Sequence, residues 1–190
     1  MEASLIEELR DDVLRKIGRN ILNLQRMEVM LKILVVSAGY NGTVSELRDR
    51  KKAFDESVAR RSMGILVENL FRSVFSSSSA SEPPEVFNES WISCHFSVED
   101  SEESVKDFKN ALTSVVEERN KLIHQMLCKF DADSVANCRE MGANLDLQNE
   151  RIMPVFKRLR SLVQHLEEAR SALVEAIDEE ILSSQESSND

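Results

Sequence analysis

The sequence predicts an all-α fold: a helical bundle of four to five helices with one short strand-like, extended segment near 91–98. Three observations carry that expectation. The 190 residues include only five Gly and three Pro, too few turn formers for a β-sandwich or barrel. Apolar residues recur at three- and four-residue spacing over long stretches, as in the ridge Leu24, Met27, Leu31 and Leu34. Only Trp91 to Val98 alternates, and it does so weakly.

The elements follow in order. Residues 4–37 read as one helix with Gly18 as its weak point. Gly39-Tyr40-Asn41-Gly42 reads as a turn, with Gly39 as the helix C-cap. Thr43 and Glu46 make a capping box that opens a second long helix, to about Phe75. Residues 76–90, rich in Ser with two Pro, read as a mobile loop. The alternating segment then supplies a hairpin arm or an extended edge. Asp100 is the expected cap of a third helix, with Glu103 as its partner, ending near Cys128. Asp131 to Ser134 starts a further helical region. A last long helix covers about 147–182, with Pro154 kinking it or marking its true start. Two helices joined antiparallel through a short turn give bundle architecture. The expected organisation is a single domain over 1–182 and a disordered acidic, Ser-containing tail over 183–190.

The formal charge of −10 argues against a non-specific duplex-binding protein, which carries a basic face. Two stretches run against the average. Residues 48–61 hold Arg48, Arg50, Lys51, Lys52, Arg60 and Arg61, and residues 151–160 hold four cations and no acid. Solvated helix faces are one reading of these stretches. The other, for Arg48, Arg50, Lys51, Lys52 and Arg60, is a substrate-binding role that steers RNA. Three Cys without metal spacing fit free thiols in a reducing compartment. The charged N-terminus has no apolar signal core, and no apolar run is long enough for a bilayer. A cytoplasmic protein without membrane contact is expected.

The sequence has no GxGxxG, Walker, GxSxG or HExxH pattern, so no cofactor or metal is expected. The segment that carries chemistry is Glu117-Glu118-Arg119-Asn120-Lys121-Leu122-Ile123-His124. It resembles the motif of HEPN-superfamily ribonucleases: Arg, often a polar residue directly after it, and His following after four to six residues. Arg160 and His165 repeat the spacing, but with Ser after the Arg and in a helix that leads into the acidic tail. A wider likeness supports the first match. Residues 17–32, from Ile17-Gly18-Arg19-Asn20 through Gln25 and Glu28 to Lys32, look like the first helix of HEPN-like proteins associated with LOTUS (OST-HTH) domains. Trp91-Ile92-Ser93 is also similar to that group. The likeness spans about residues 14–170 in scattered blocks.

The chemistry of the segment can be stated directly. In an α-helix Asn120 and His124 share a face, and Arg119 is rotated about 100° from Asn120. A His takes or gives a proton near neutral pH, and an Arg holds a phosphate and the charge of its transition state. These roles make Arg119, Asn120 and His124 the candidate catalytic residues. RNA cleavage by 2′-hydroxyl attack wants both a base and an acid, and one motif has a single His. The resemblance implies a homodimer that apposes two motifs in a composite cleft, acting without metal as a toxin or as a defence or stress endoribonuclease. It also implies an antitoxin or regulatory protein as a possible partner. Some HEPN toxins carry a Tyr two residues after the His and are silenced by nucleotide transfer to it. Met126 stands there, so that route is not expected.

Other readings stay open. Arg119, Asn120 and His124 also suit a purely structural role: an ion pair, a cap and a helix end. Glu28 and Asn20 are candidates to orient the motif from behind, while Glu28 with Lys32 also makes an ordinary i,i+4 pair. The alternative function is a non-catalytic HEPN-like helical module that binds a partner protein.

Overall fold

The computed structural model describes residues 2–75 and 91–186. They form five α-helices and a two-stranded sheet, an all-α bundle: α1 (Glu2–Ser37), β1 (Gly39–Thr43), α2 (Val44–Ala59), α3 (Met63–Ser73), β2 (Trp91–His95), α4 (Glu102–Lys121) and α5 (Val135–Glu186). A π-helical turn (Leu122–Met126) and a 3₁₀ turn (Leu127–Lys129) follow α4. The loop expected over 76–90 lies outside the described residues, as do 187–190 of the expected tail. α5 itself extends to Glu186.

Helix direction follows from the polar contacts. Lys16, Asn20 and Ser37 of α1 meet Asp146, Gln148 and Arg170 of α5 in ascending order, so α1 and α5 run parallel. Glu118 and Asp100 meet Arg151 and Arg158, so α4 runs the opposite way along α5. Glu68 of α3 meets Lys109, and Gly64 faces Val116, so α3 is antiparallel to α4. The Leu24, Met27, Leu31 and Leu34 ridge is buried between these helices, against Leu66, Leu112 and Leu159 among others.

Several boundaries differ from the sequence reading, each for a local reason. The Gly39–Gly42 stretch is a strand, not a turn. It pairs antiparallel with β2 from Gly39↔His95 to Thr43↔Trp91, and Phe96 N–H then donates to Ala38 O. A side chain at Gly39 would meet His95 Nδ1 at 3.0 Å, so the close approach of the strands uses the missing Cβ. No described residue has positive φ, so Gly39 is not a left-handed C-cap. The expected second helix is two helices, because the chain leaves helical geometry at Arg60–Ser62 and Ser62 caps α3 in extended conformation. Thr43 does cap α2, accepting from Glu46 N–H. Ser101 rather than Asp100 is the cap of α4. Asp100 supports it by accepting from Ser101 N–H and Ser104 Oγ. Those two donors, Ser104 first, and the Arg158 guanidinium hold the Asp100 carboxyl below its usual range.

α5 begins at Val135, twelve residues before its expected start, and continues through Pro154. The proline removes the N–H that would bond Glu150 O. Both residues are exposed, so water reaches the freed carbonyl.

Phe108 is central to the α3–α4–α5 contact. Phe71 and Phe75 pack edge-on to its ring, and Arg158 lies 4.2 Å over its face. Replacing Phe108 by Ala is expected to cost about 3–5 kcal/mol, read as a lower urea midpoint with an unchanged slope.

Candidate active-site rim on α4

One polar chain crosses the apolar bundle. Arg19 donates to Asp146 Oδ1 and to Asn20 Oδ1, both at 3.0 Å. Asn20, fully buried, donates to Leu145 O at 2.8 Å and Gln148 Oε1 at 3.0 Å. Gln148, also buried, donates to Glu118 O at 3.0 Å and Glu118 Oε2 at 3.1 Å. Glu118 Oε1 then pairs with Arg151 at 2.8 Å. The chain ends one residue before Arg119.

This contact coincides with a change in helix type. Glu118 O accepts from Leu122 N–H as well as from Gln148, and Leu122 N–H is shared with Arg119 O. A side chain that enters the i→i−4 ladder loosens it. From Leu122 the ladder widens, and Leu127 N–H bonds Leu122 O, five residues back. Five α-helical steps would place His124 about 140° from Arg119. The smaller angular step of a π turn rotates His124 back toward the Arg119 side. Such turns are enriched at functional sites.

Arg119 is half-buried, and Asn120 and His124 are exposed. Arg119 Nη1 donates to Asn120 Oδ1 at 3.5 Å. His124 makes no hydrogen bond or ion pair with the described residues. The three side chains thus form a solvent-facing rim above a buried, paired foundation.

The remaining candidates fall elsewhere. Asn20 reaches the motif helix, through Gln148. Glu28 bonds Lys32 at 2.8 Å and touches neither Arg119 nor His124. Arg48, Lys51, Lys52 and Arg60 are exposed on or just after α2, and the side chain of Arg50 lies outside the described set. Lys51 lines a cavity beside Ser37 and Arg170. That point is seventeen residues beyond Asn20 along α1, about 25 Å of helix. Within one chain, Lys51 and the His124 rim are not brought together.

Gln148 and Glu118 are the functional residues that the sequence pattern of the motif does not point to. A signal for Gln148 exists: it falls in phase with Leu145, Ile152, Val155 and Leu159 on the buried stripe of α5. Among the described residues no group of His, Cys, Asp and Glu is placed to hold a metal, and no helix is long and apolar enough to cross a membrane. Compared with protein-family models, curated proteins and solved structures, the chain matches none.

Two outcomes are expected. Gln148→Leu removes one hydrogen-bond partner from Asn20 and the buried amide that holds Glu118, and should cost about 1–3 kcal/mol in urea unfolding. In a double-mutant cycle the Asn20→Leu, Gln148→Leu pair should cost less than the two singles combined. The second outcome concerns acid. Lys16, and after it Arg19, holds the Asp146 carboxyl below its ordinary range. A depressed carboxyl contributes stability above its unfolded pKa of about 4 and loses it as pH falls through the folded value. Asp146→Asn should therefore flatten the acid limb of a Tm-against-pH curve below about pH 4.

Proposed function

We propose that the chain is a HEPN-type, metal-independent endoribonuclease that acts as a homodimer. The observation that carries this reading is the solvent-facing Arg119-Asn120-His124 rim, with His124 on a π turn and without a hydrogen-bond or ion-pair partner among the described residues. Its support in sequence is the resemblance of residues 117–124 and 17–32 to that superfamily.

In this reading His124 acts as the general acid or base. One copy removes the 2′-hydroxyl proton and the other protonates the 5′-oxygen leaving group. The 2′-oxygen attacks phosphorus, the P–O5′ bond breaks, and a 2′,3′-cyclic phosphate and a 5′-hydroxyl result. Arg119 holds the phosphate and the charge that develops on its oxygens. Asn120, through Nη1 of Arg119, positions the guanidinium. Asn20, Gln148 and Glu118 fix the height and rotation of the rim from below.

A second reading is the helical interaction module. Leu173, Val174 and Ile177 are exposed on α5, beyond the Ser37–Arg170 hydrogen bond, and offer apolar area to a partner protein.

The test is RNA cleavage by purified protein in excess EDTA, wild type beside His124→Ala and Arg119→Ala. The expected result is cleavage by wild type with cyclic phosphate ends, and losses of about 10²-fold or more in both variants. Cleavage unchanged by His124→Ala, or none by a wild-type dimer, overturns the catalytic assignment and leaves the module.

A further inference from the structure

A cleft at the far end of the bundle carries a second, independent assignment. A cavity of about 760 Å³ lies between the end of α1, the β1–β2 sheet, α2 and α5. Its apolar wall is Val36, Phe54, Phe96, Leu166 and Leu173, and Lys51, His95 and Arg170 stand over it. A narrower chamber of about 360 Å³ shares Gly39, Asn41, Phe54 and His95 with it and adds Arg61 and Arg72. Among the described residues no Asp or Glu lines either space.

The charge is unusual for this molecule. The chain is strongly acidic overall, and beneath the α4 rim Lys16, Arg19 and Arg151 each hold a carboxylate. Around the cleft Lys51 and His95 have no polar partner among the described residues, and the contacts of Arg61 and Arg170 are hydroxyls and a ring. Arg170 donates to Ser37 Oγ, and Arg61 donates to Ser57 Oγ and lies over Phe54. Asn69, 7% exposed where it lines the narrow chamber, accepts from Arg72 at Oδ1, and its Nδ2 has no acceptor.

Helix ends account for only part of this. α1 and α3 both finish here, and a helix C-terminus carries about half a negative charge. Two such ends are balanced by about one cation. Lys51, Arg61 and Arg170 supply three fixed ones. A net positive, water-accessible site remains beside an apolar wall long enough for a ring or a short chain.

We propose that this cleft binds a small amphiphilic organic anion: a carboxylate or phosphate monoester head between Lys51, His95 and Arg170, with its aliphatic or aromatic body along Phe54, Leu166 and Leu173. The site is separate from the α4 rim and does not depend on the nuclease reading.

The full chain is titrated, by calorimetry and backbone-amide NMR, with decanoate, decyl phosphate and decanamide, each below its micelle concentration. One equivalent of an anion is expected to bind about tenfold or more tightly than decanamide, with shifts at Gly39, Phe54 and His95. The tighter of the two anions identifies the head group. The Lys51→Gln, Arg170→Gln double variant alters two exposed side chains, so folding is retained and checked by its Tm. It should lose about tenfold in anion affinity and keep that for decanamide within about twofold. Equal binding of decanamide and the anions, anion binding unchanged in the variant, or no saturable binding overturns the proposal.

Discussion

The bundle depends on one buried polar pair. Asn20 and Gln148 are almost completely shielded from water, and each would cost more than it gives if left unpaired. They are satisfied at one relative setting of α1, α4 and α5, because the acceptors are the fixed backbone carbonyls of Leu145 and Glu118. Sliding α5 by one turn would keep Leu and Ile against Leu and Ile but strand both amides. Apolar packing gives the bundle its stability, and the amides select its register. The ions at either end of the chain, Arg19–Asp146 and Glu118–Arg151, are partly exposed and add little by comparison.

The same pair links the fold to the candidate chemistry. Gln148 takes hold of Glu118 O at the point where the α4 ladder widens, and the His124 rim begins one residue later. A rim that projects into water has few contacts of its own to fix it. Here its position is set from beneath by groups that cannot move without exposing a buried amide. The opposite end of the molecule is built differently: there Arg61 and Arg170 stand beside a cavity and meet hydroxyls and a ring. The two ends thus divide the charge. One is neutralised internally, and the other is left open.

Much of this architecture is legible in the sequence, and the parts that are not have physical causes. Periodicity located α1, and its predicted ridge is the buried one, because a 36-residue helix averages out local ambiguity. The β1 strand was hidden because its partner lies some fifty residues away, so Gly39 to Gly42 looks like a turn until Trp91 to His95 is beside it. The split between α2 and α3 falls at Arg60–Ser62, with no Gly or Pro in the break itself and Gly64 only in the first turn of α3. Helix propensity runs through Arg60 and Arg61, and tertiary packing of Val58 and Met63 decides otherwise. At the candidate site, Arg119, Asn120 and His124 stand out as residue types. The π turn does not, and the hydrogen bond that coincides with its start is supplied by a different helix. Asn20 was visible as a polar residue in an apolar helix. Its partner Gln148 shows the same pattern in α5 and is found by the same reasoning.

A π turn contains one residue more than the α-helical turn it replaces. The segment from Leu122 to Met126 therefore stores a spare residue inside a packed element. A chain lacking one residue there would close into ordinary α-helix. Leu112 and Val115 on one side, and Leu127 and Phe130 on the other, would keep their seats in the core. Only the order of side chains along the outer rim would change. Changes in length are normally confined to loops, because elsewhere they rotate everything downstream. This bundle has a place in its interior where length can vary while the packing stays fixed, and it is the place that carries His124.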